Sequence, residues 1–193
     1  METMNEKEFT EYLIKVLNLQ IKPFQIATKK SVLYKMAIND QGHVDMGVNA
    51  DSGEVIRGGG KGFEQDILIY EETKGGHTSF IPRVIAEVKL RRVTTHDAIV
   101  YSEKARMIRS IYPFVRYGLI LADIDHIPGR VLRLGEEFDF IEVIHNPVTL
   151  SNREKCRGLF RSELDTSLKL SKILYGVKKI TSLRRQFVTV ERL

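Results

Sequence analysis

Cysteine is almost missing from this chain. The single Cys156 rules out an intrachain disulfide, and a lone thiol suits a reducing compartment. Long apolar runs are missing too: none approaches the roughly 18 residues that a membrane span needs. Histidine is scarce, and its five copies show no His-x-x-x-His or Cys/His spacing, which argues against a zinc site. Internal repeats and low-complexity tracts are absent. The opening METMNEKEF is polar and acidic, without the basic-then-apolar order of a secretory signal. These absences point to a soluble cytoplasmic protein with no membrane partner.

What is present fits one domain. A chain of 193 residues can bury roughly two-thirds of its unfolded surface, enough to fold without a disulfide or metal staple. The net charge is +5, unevenly spread. Residues 150–193 hold 11 Lys and Arg against 4 Asp and Glu, a surplus of 7, so residues 1–149 carry −2. The chain therefore divides into a near-neutral core, 1–149, and a basic helical extension, 150–193, ending in a strand and packed on the same domain. A basic segment of this kind points to a polyanionic partner, nucleic acid first, or to a solvated helix face.

Hydrophobic periodicity supplies the elements. Phe9, Tyr12, Leu13, Val16 and Leu17 mark an amphipathic helix from Glu6 to about Leu19. Ser31–Ile38 is strand or helix, Asn39–Gly42 a turn and Asn49–Gly62 a loop. Gly58-Gly-Gly-Lys-Gly62 resembles a phosphate loop, yet Lys61 is followed by glycine where that motif needs Ser or Thr. Asp66–Tyr70 and Phe80–Leu90 are β-rich runs around Gly75-Gly76, a hairpin signature. Thr94-Thr-His-Asp97 is a helix start of capping-box type, and Ala98 to Tyr112 continues it. Tyr117–Ala122 is a buried central strand and Phe138–Ile144 another. Ser151 to about Tyr175 forms a long helix with Cys156, Phe160, Leu164, Ser167 and Leu174 on one side. The order predicts an α/β fold, a mixed central β-sheet flanked by helices.

The stretch IPRVIAEVKLRR, Ile81–Arg92, carries the chemistry. Alternation puts Ile85, Glu87 and Lys89 on one strand face and Val84, Ala86, Val88 and Leu90 on the other. A charged pair on one face is ordinarily a wet face. The hairpin changes this. With its turn centred between Gly76 and His77, paired residue numbers add to 153, which sets Asp66 opposite Glu87 with Cβ atoms about 5 Å apart. Facing carboxylates repel, and a hard divalent cation such as Mg²⁺ removes that penalty.

Asp66, twenty intervening residues and Glu87-Val-Lys89 resemble the PD-(D/E)xK nuclease superfamily, the restriction-endonuclease-like fold. The resemblance spans roughly residues 5–145. It implies that Asp66, Glu87 and the main-chain carbonyl of Val88 bind Mg²⁺ and that Lys89 orients or activates the attacking water. It further implies a first-helix glutamate, for which Glu6, Glu8 and Glu11 are all open. Gln65 stands where the family usually has proline.

The expected substrate is double-stranded DNA, cut as by a type II restriction enzyme. Two strands are most simply cut by two identical sites, so a homodimer is expected. Arg91, Arg92, Lys104, Arg153, Arg157, Lys178 and Lys179 are the candidate DNA-binding cations. Asp45 is a rival metal carboxylate without the hairpin relation. His77, His96, Asp123 and Asp125 read as surface or turn residues. A repair, recombination or transposition nuclease, a non-catalytic nucleic-acid-binding module and an assembly subunit remain as other readings.

Overall fold

The computed structural model describes residues 4–17, 22–38, 40–42, 44–46, 62–74, 80–144 and 150–176. Helix α1 (Glu6–Leu17) leads into four short strands, β1 (Phe24–Ala27), β2 (Lys30–Val32), β3 (Met36–Ile38) and β4 (Val44–Met46). After β5 (Phe63–Gln65) come the two hairpin strands, β6 (Ile67–Glu72) and β7 (Phe80–Leu90). Helix α2 (Thr95–Ile111) leads to β8 (Arg116–Ala122), and the short α3 (Gly129–Leu134) to β9 (Phe140–Ile144). The long α4 (Leu150–Gly176) is the last described element.

One five-stranded sheet, in the order β1-β6-β7-β8-β9, organises these elements. β1, β6 and β7 are antiparallel, whereas β7, β8 and β9 run parallel. Parallel neighbours need a crossover, and α2 and α3 supply the two. The fold is therefore α/β with a mixed central sheet flanked by helices, as the element order predicts. Among the described residues no helix is long and apolar enough to cross a membrane.

Each face of the sheet has its own core. Val84, Ala86 and Val88 point with Ile67, Ile69 and Ile120 toward α1 and α4. Ile85 points the other way, with Leu68, Tyr117, Leu119 and Leu121, toward Ala98, Ala105 and Ile108 of α2. Both faces of β7 are thus covered, as parallel strands require. The Glu87 face is therefore not a wet one, and Glu87 is only 2 % exposed.

Helix α2 starts where its sequence says it should. Thr94 is the N-cap: its hydroxyl accepts from Asp97 N–H while Asp97 accepts from Thr94 N–H, the reciprocal capping box. Helix α4 is a structural layer of the core and not an appendage to it. Its Cys156, Phe160 and Leu164 belong to the same cluster as Phe9, Leu13 and Leu17 of α1. Arg116 fastens it further, with Nε donating to Glu163 at 2.7 Å and Nη1 to Asp139 at 2.8 Å. Leu174 departs from its predicted side and is 44 % exposed, because Leu170 takes the buried position near that end. The predicted strand at 186–193, the loop at 49–61 and the turn at Gly75-Gly76 lie outside the described residues.

The hairpin register contains a bulge. Ile67↔Ala86, Leu68↔Ile85 and Ile69↔Val84 are paired, but Tyr70 faces Pro82, so Arg83 is the extra residue on β7. Proline cannot donate to a ladder and is confined to such irregularities inside sheets. Turn-side pairs therefore add to 152, one short of the count from a turn between Gly76 and His77, and the bulge brings the site-side pairs to 153.

The two sides of α4 should respond differently to truncation. Phe160→Ala is expected to cost about 3–5 kcal/mol in urea unfolding, and Leu174→Ala within about 0.5 kcal/mol. Comparable losses for the two would contradict the packing of this helix.

Candidate active site

The site forms where β6 ends before β7 does. β6 begins at Ile67, opposite Ala86, while β7 continues to Leu90. Past Ala86 the β6-side edge of β7 has no strand partner among the described residues, and side chains take its place. Val88 N–H donates to Asp66 Oδ2 at 2.9 Å, and Leu90 N–H to Glu6 Oε2 at 3.4 Å. Unpaired edge amides are costly when dry, so two carboxylates are recruited to the strand end. A strand residue points its N–H and C=O to the same edge, so the Val88 carbonyl faces this opening too.

Asp66 sits at the bend between β5 and β6, one step beyond the Ile67↔Ala86 pair, where the register places it opposite Glu87. The Asp66 carboxyl is near enough for its charge to raise the pKa of Glu87. Glu87 is held from the opposite side by Tyr117 Oη, which donates to Oε1 at 2.7 Å, and by Lys104 Nζ, which reaches the same oxygen at 3.3 Å. Burial pushes the Glu87 carboxyl up to about 7, the Lys104 charge pulls it back, and the Asp66 charge raises it again. Tyr117 is raised well above its ordinary value by burial and by the Glu87 charge, so it stays a hydrogen-bond donor.

Lys89 lies two residues along the same face. Its Nζ is 3.1 Å from Glu6 Oε1, 3.9 Å from Asp97 Oδ1 and 5.2 Å from the Tyr101 ring centroid. Burial alone would lower its pKa, but the Tyr101 and Glu6 contacts outweigh burial and raise it. Lys89 is therefore a fixed cation near neutral pH. It can donate to a water or a phosphate oxygen, but it has no lone pair with which to take a proton.

The three first-helix glutamates have different partners. Asn5 and Glu8 cap α1 reciprocally, Glu8 N–H to Asn5 Oδ1 at 3.0 Å and Asn5 N–H to Glu8 Oε2 at 2.9 Å. Glu11 pairs with Lys7 at 3.9 Å on the helix surface. Glu6 alone reaches the strand end. Asn5-Glu-Lys-Glu8 has the capping spacing, so the sequence contained the signal that assigns Glu8 to the cap. A cleft of about 120 Å³ opens beside Asp66, lined by Glu6, Lys7, Thr10, Glu11, Thr28 and Lys29.

The expected DNA-binding cations divide. Arg92 is exposed beside the strand end. Arg91, at φ +64°, donates to Asp123 at 3.2 Å and to the Met4 carbonyl at 3.1 Å. Lys104 faces inward onto Glu87. Arg157 donates to the carbonyls of Val16 and Leu17, capping the end of α1, and Arg153 reaches the Tyr12 hydroxyl at 3.4 Å. Both therefore link α4 to α1, while Arg157 Nη1 also pairs with Glu154 on α4 at 2.7 Å. Lys178 and Lys179 lie outside the described residues. Tyr101 and Tyr117 were not foreseen; a tyrosine inside the apolar run Tyr117–Ala122 is itself a signal, since a buried hydroxyl needs a partner.

The donors suit a hard divalent cation: two adjoining carboxylates and the strand-edge carbonyl of Val88, the residue after Glu87. Among the described residues no three His, Cys, Asp or Glu side chains form a ready-made metal cluster, so solvent or substrate oxygens would have to complete the shell. Asp45 pairs with Ala37 in the separate β3–β4 ribbon. No family model matches the chain, and no curated protein or solved structure matches it either.

Glu87 leaves a pH signature in the metal-free protein. Its pKa is raised from 4.5 to about 7 on folding, so its contribution is fully present below 4.5 and is lost as pH rises through 7. Between pH 5.5 and 8 this should remove on the order of 2 kcal/mol of stability, measured by urea unfolding against Glu87→Gln. Parallel pH profiles for the two proteins would show that Glu87 is not held protonated.

Proposed function

We propose that the protein is a Mg²⁺-dependent DNA endonuclease that hydrolyses phosphodiester bonds in double-stranded DNA. Its closest kind would be the type II restriction enzymes of the PD-(D/E)xK superfamily. The observation that carries the reading is the meeting of Asp66 and Glu87 at the open end of β7, with Lys89 on the same face. The order of helix, antiparallel strands, crossover helix and parallel strand supports it, being the order that the resemblance implies.

In this reading Asp66, Glu87 and the Val88 carbonyl hold Mg²⁺. The ion would supply Lewis-acid polarisation of a phosphoryl oxygen and a bound water of lowered pKa. Lys89 orients the attacking water, or the phosphate oxygen beside it, by donating from a charged ammonium. Glu6 positions Lys89 by holding its Nζ, and Arg92 is free to meet the DNA backbone. A homodimer would bring two such sites to the two strands.

One observation favours a second reading. Lys104 and Tyr117 already partner Glu87, as they would in a nucleic-acid-binding module without catalysis. Plasmid cleavage separates the two. With Mg²⁺ the wild type should nick or linearise plasmid, and Asp66→Asn and Lys89→Ala should each be slower by at least about a hundredfold. Equal activity in all three, or salt-sensitive DNA binding that neither Mg²⁺ nor Ca²⁺ alters, would replace the nuclease with the binding module. Discrete fragments from linear duplex mark a restriction enzyme, whereas preferred cutting of branched or single-stranded DNA marks a repair, recombination or transposition enzyme.

The arginines give an independent check. Arg92→Ala should weaken DNA binding in Ca²⁺ and lower its salt dependence by about one unit of slope, at unchanged melting temperature. Arg157→Ala should lower the melting temperature and leave DNA affinity alone. The reverse pattern would place the DNA on α4.

A further inference from the structure

Lys104 is the basic residue in this site that the metal reading leaves without a task. It is one of two ammonium groups in the cluster, and the two are held differently. Lys89 is tied to Glu6 and Asp97 at the strand end. Lys104 comes from the other direction, off α2, and its Nζ lies 3.3 Å from Oε1 of Glu87, a carboxylate whose side chain is 3 % exposed. Two aromatic rings hold the ammonium there, Tyr101 at 4.9 Å and Phe63 at 5.4 Å from their centroids. Ring faces attract a cation without neutralising it. The Lys104 charge would therefore stay beside the site whether or not Glu87 is engaged elsewhere.

We propose that Lys104 is a resident counter-cation that holds down the affinity of the Asp66–Glu87 pair for divalent cations. The inference rests on the reading of that pair as the metal site. Asp66 and Glu87 adjoin at the end of β7, and Glu6 stands further along the strand at Leu90. Without a nearby cation such a group would attract any divalent ion strongly, including ions too firmly held to exchange. A positive charge already at Glu87 weakens that attraction and keeps the buried carboxylate partnered when no ion is bound. Tyr117 shares Oε1 with Lys104, so neither donor takes Oε2. Lys104 is thus a positioning residue that sets the electrostatics of the pair.

The test is isothermal titration of Mn²⁺, and separately of Ca²⁺, into wild type, Lys104→Met and Lys104→Arg at pH 8.5, without DNA. Lys104→Met keeps the length of the side chain and removes its charge. It should bind both ions at least about tenfold more tightly, since one unit charge several ångströms from a divalent ion is worth that much even at an effective dielectric of about 20. Lys104→Arg keeps the charge and should stay near wild type. The rise in melting temperature on adding Ca²⁺ should likewise be larger for Lys104→Met, and Lys104→Gln reads the same quantity if the methionine variant shows no thermal transition. Equal or weaker binding by the uncharged variants, with clear binding by wild type, overturns the role of Lys104 and leaves the metal site standing. No binding by any of the proteins overturns both.

Discussion

The difference in length between β6 and β7 governs this molecule. β6 starts opposite Ala86, and β7 extends four residues past that point. A strand end without a neighbour exposes amides that must find acceptors, and the acceptors available are Asp66 and Glu6. The same requirement that satisfies the backbone therefore gathers carboxylates around Glu87. Like charges converging is unfavourable, so each needs a donor: Asp66 has the Val88 amide, and Glu6 has the Leu90 amide together with the Lys89 ammonium. Backbone hydrogen bonding drives the convergence, and the electrostatics has to be offset locally.

That offset comes from the α2 face. Because β7 and β8 are parallel and buried on both sides, Glu87 points into a layer covered by helix and not into water. A buried carboxylate of this kind protonates or finds donors. Both effects operate here, since Lys104 and Tyr117 donate to it while burial still holds its pKa near 7. The fold thus keeps a carboxylate close to the point of changing charge, and a nearby cation of either kind tips it toward ionisation. The capping box at Thr94 and Asp97 starts α2 beside the end of β7, which lets Lys104 and Tyr101 project onto the site.

Much of this was legible in the residues themselves. Counting through the hairpin from a turn between Gly76 and His77 sets Asp66 opposite Glu87, but the pairs nearest the turn add to 152, which alone would set Gln65 there. The extra residue Arg83 restores 153 on the site side, and Pro82 was the visible sign of that irregularity. The capping box and the long apolar stripe of α4 were equally local. What could not be read was everything that depends on parallel packing. The register of β7 on β8 is set by a crossover helix and not by a turn, so the bond from Tyr117 to Glu87 has no sequence spacing to betray it. Lys104, Arg153 and Arg157 were assigned outward for the same reason. A helix shows which residues share a face, but not whether a long basic side chain on its flank turns to water or back onto a neighbour's carbonyls.

The charges of the cluster tie these levels together. Glu6, Asp66, Glu87 and Asp97 stand against Lys89 and Lys104. With every group ionised, four carboxylates face two ammoniums and leave two negative charges. In the metal-free protein part of that excess is relieved by the proton Glu87 retains near neutral pH. A divalent cation would cancel the excess and displace the proton. Removing one lysine deepens the excess to three negative charges, whereas removing one carboxylate halves it to one. Lys89 and Lys104 consequently have unequal standing. Lys89 is bound by carboxylates outside the adjoining pair, so it remains available to a phosphate, while Lys104 occupies the oxygen of Glu87 that a metal's neighbourhood would share. In the proposed nuclease reading the cation that assists chemistry and the cation that tunes the site are different residues, although both lie over the Tyr101 ring.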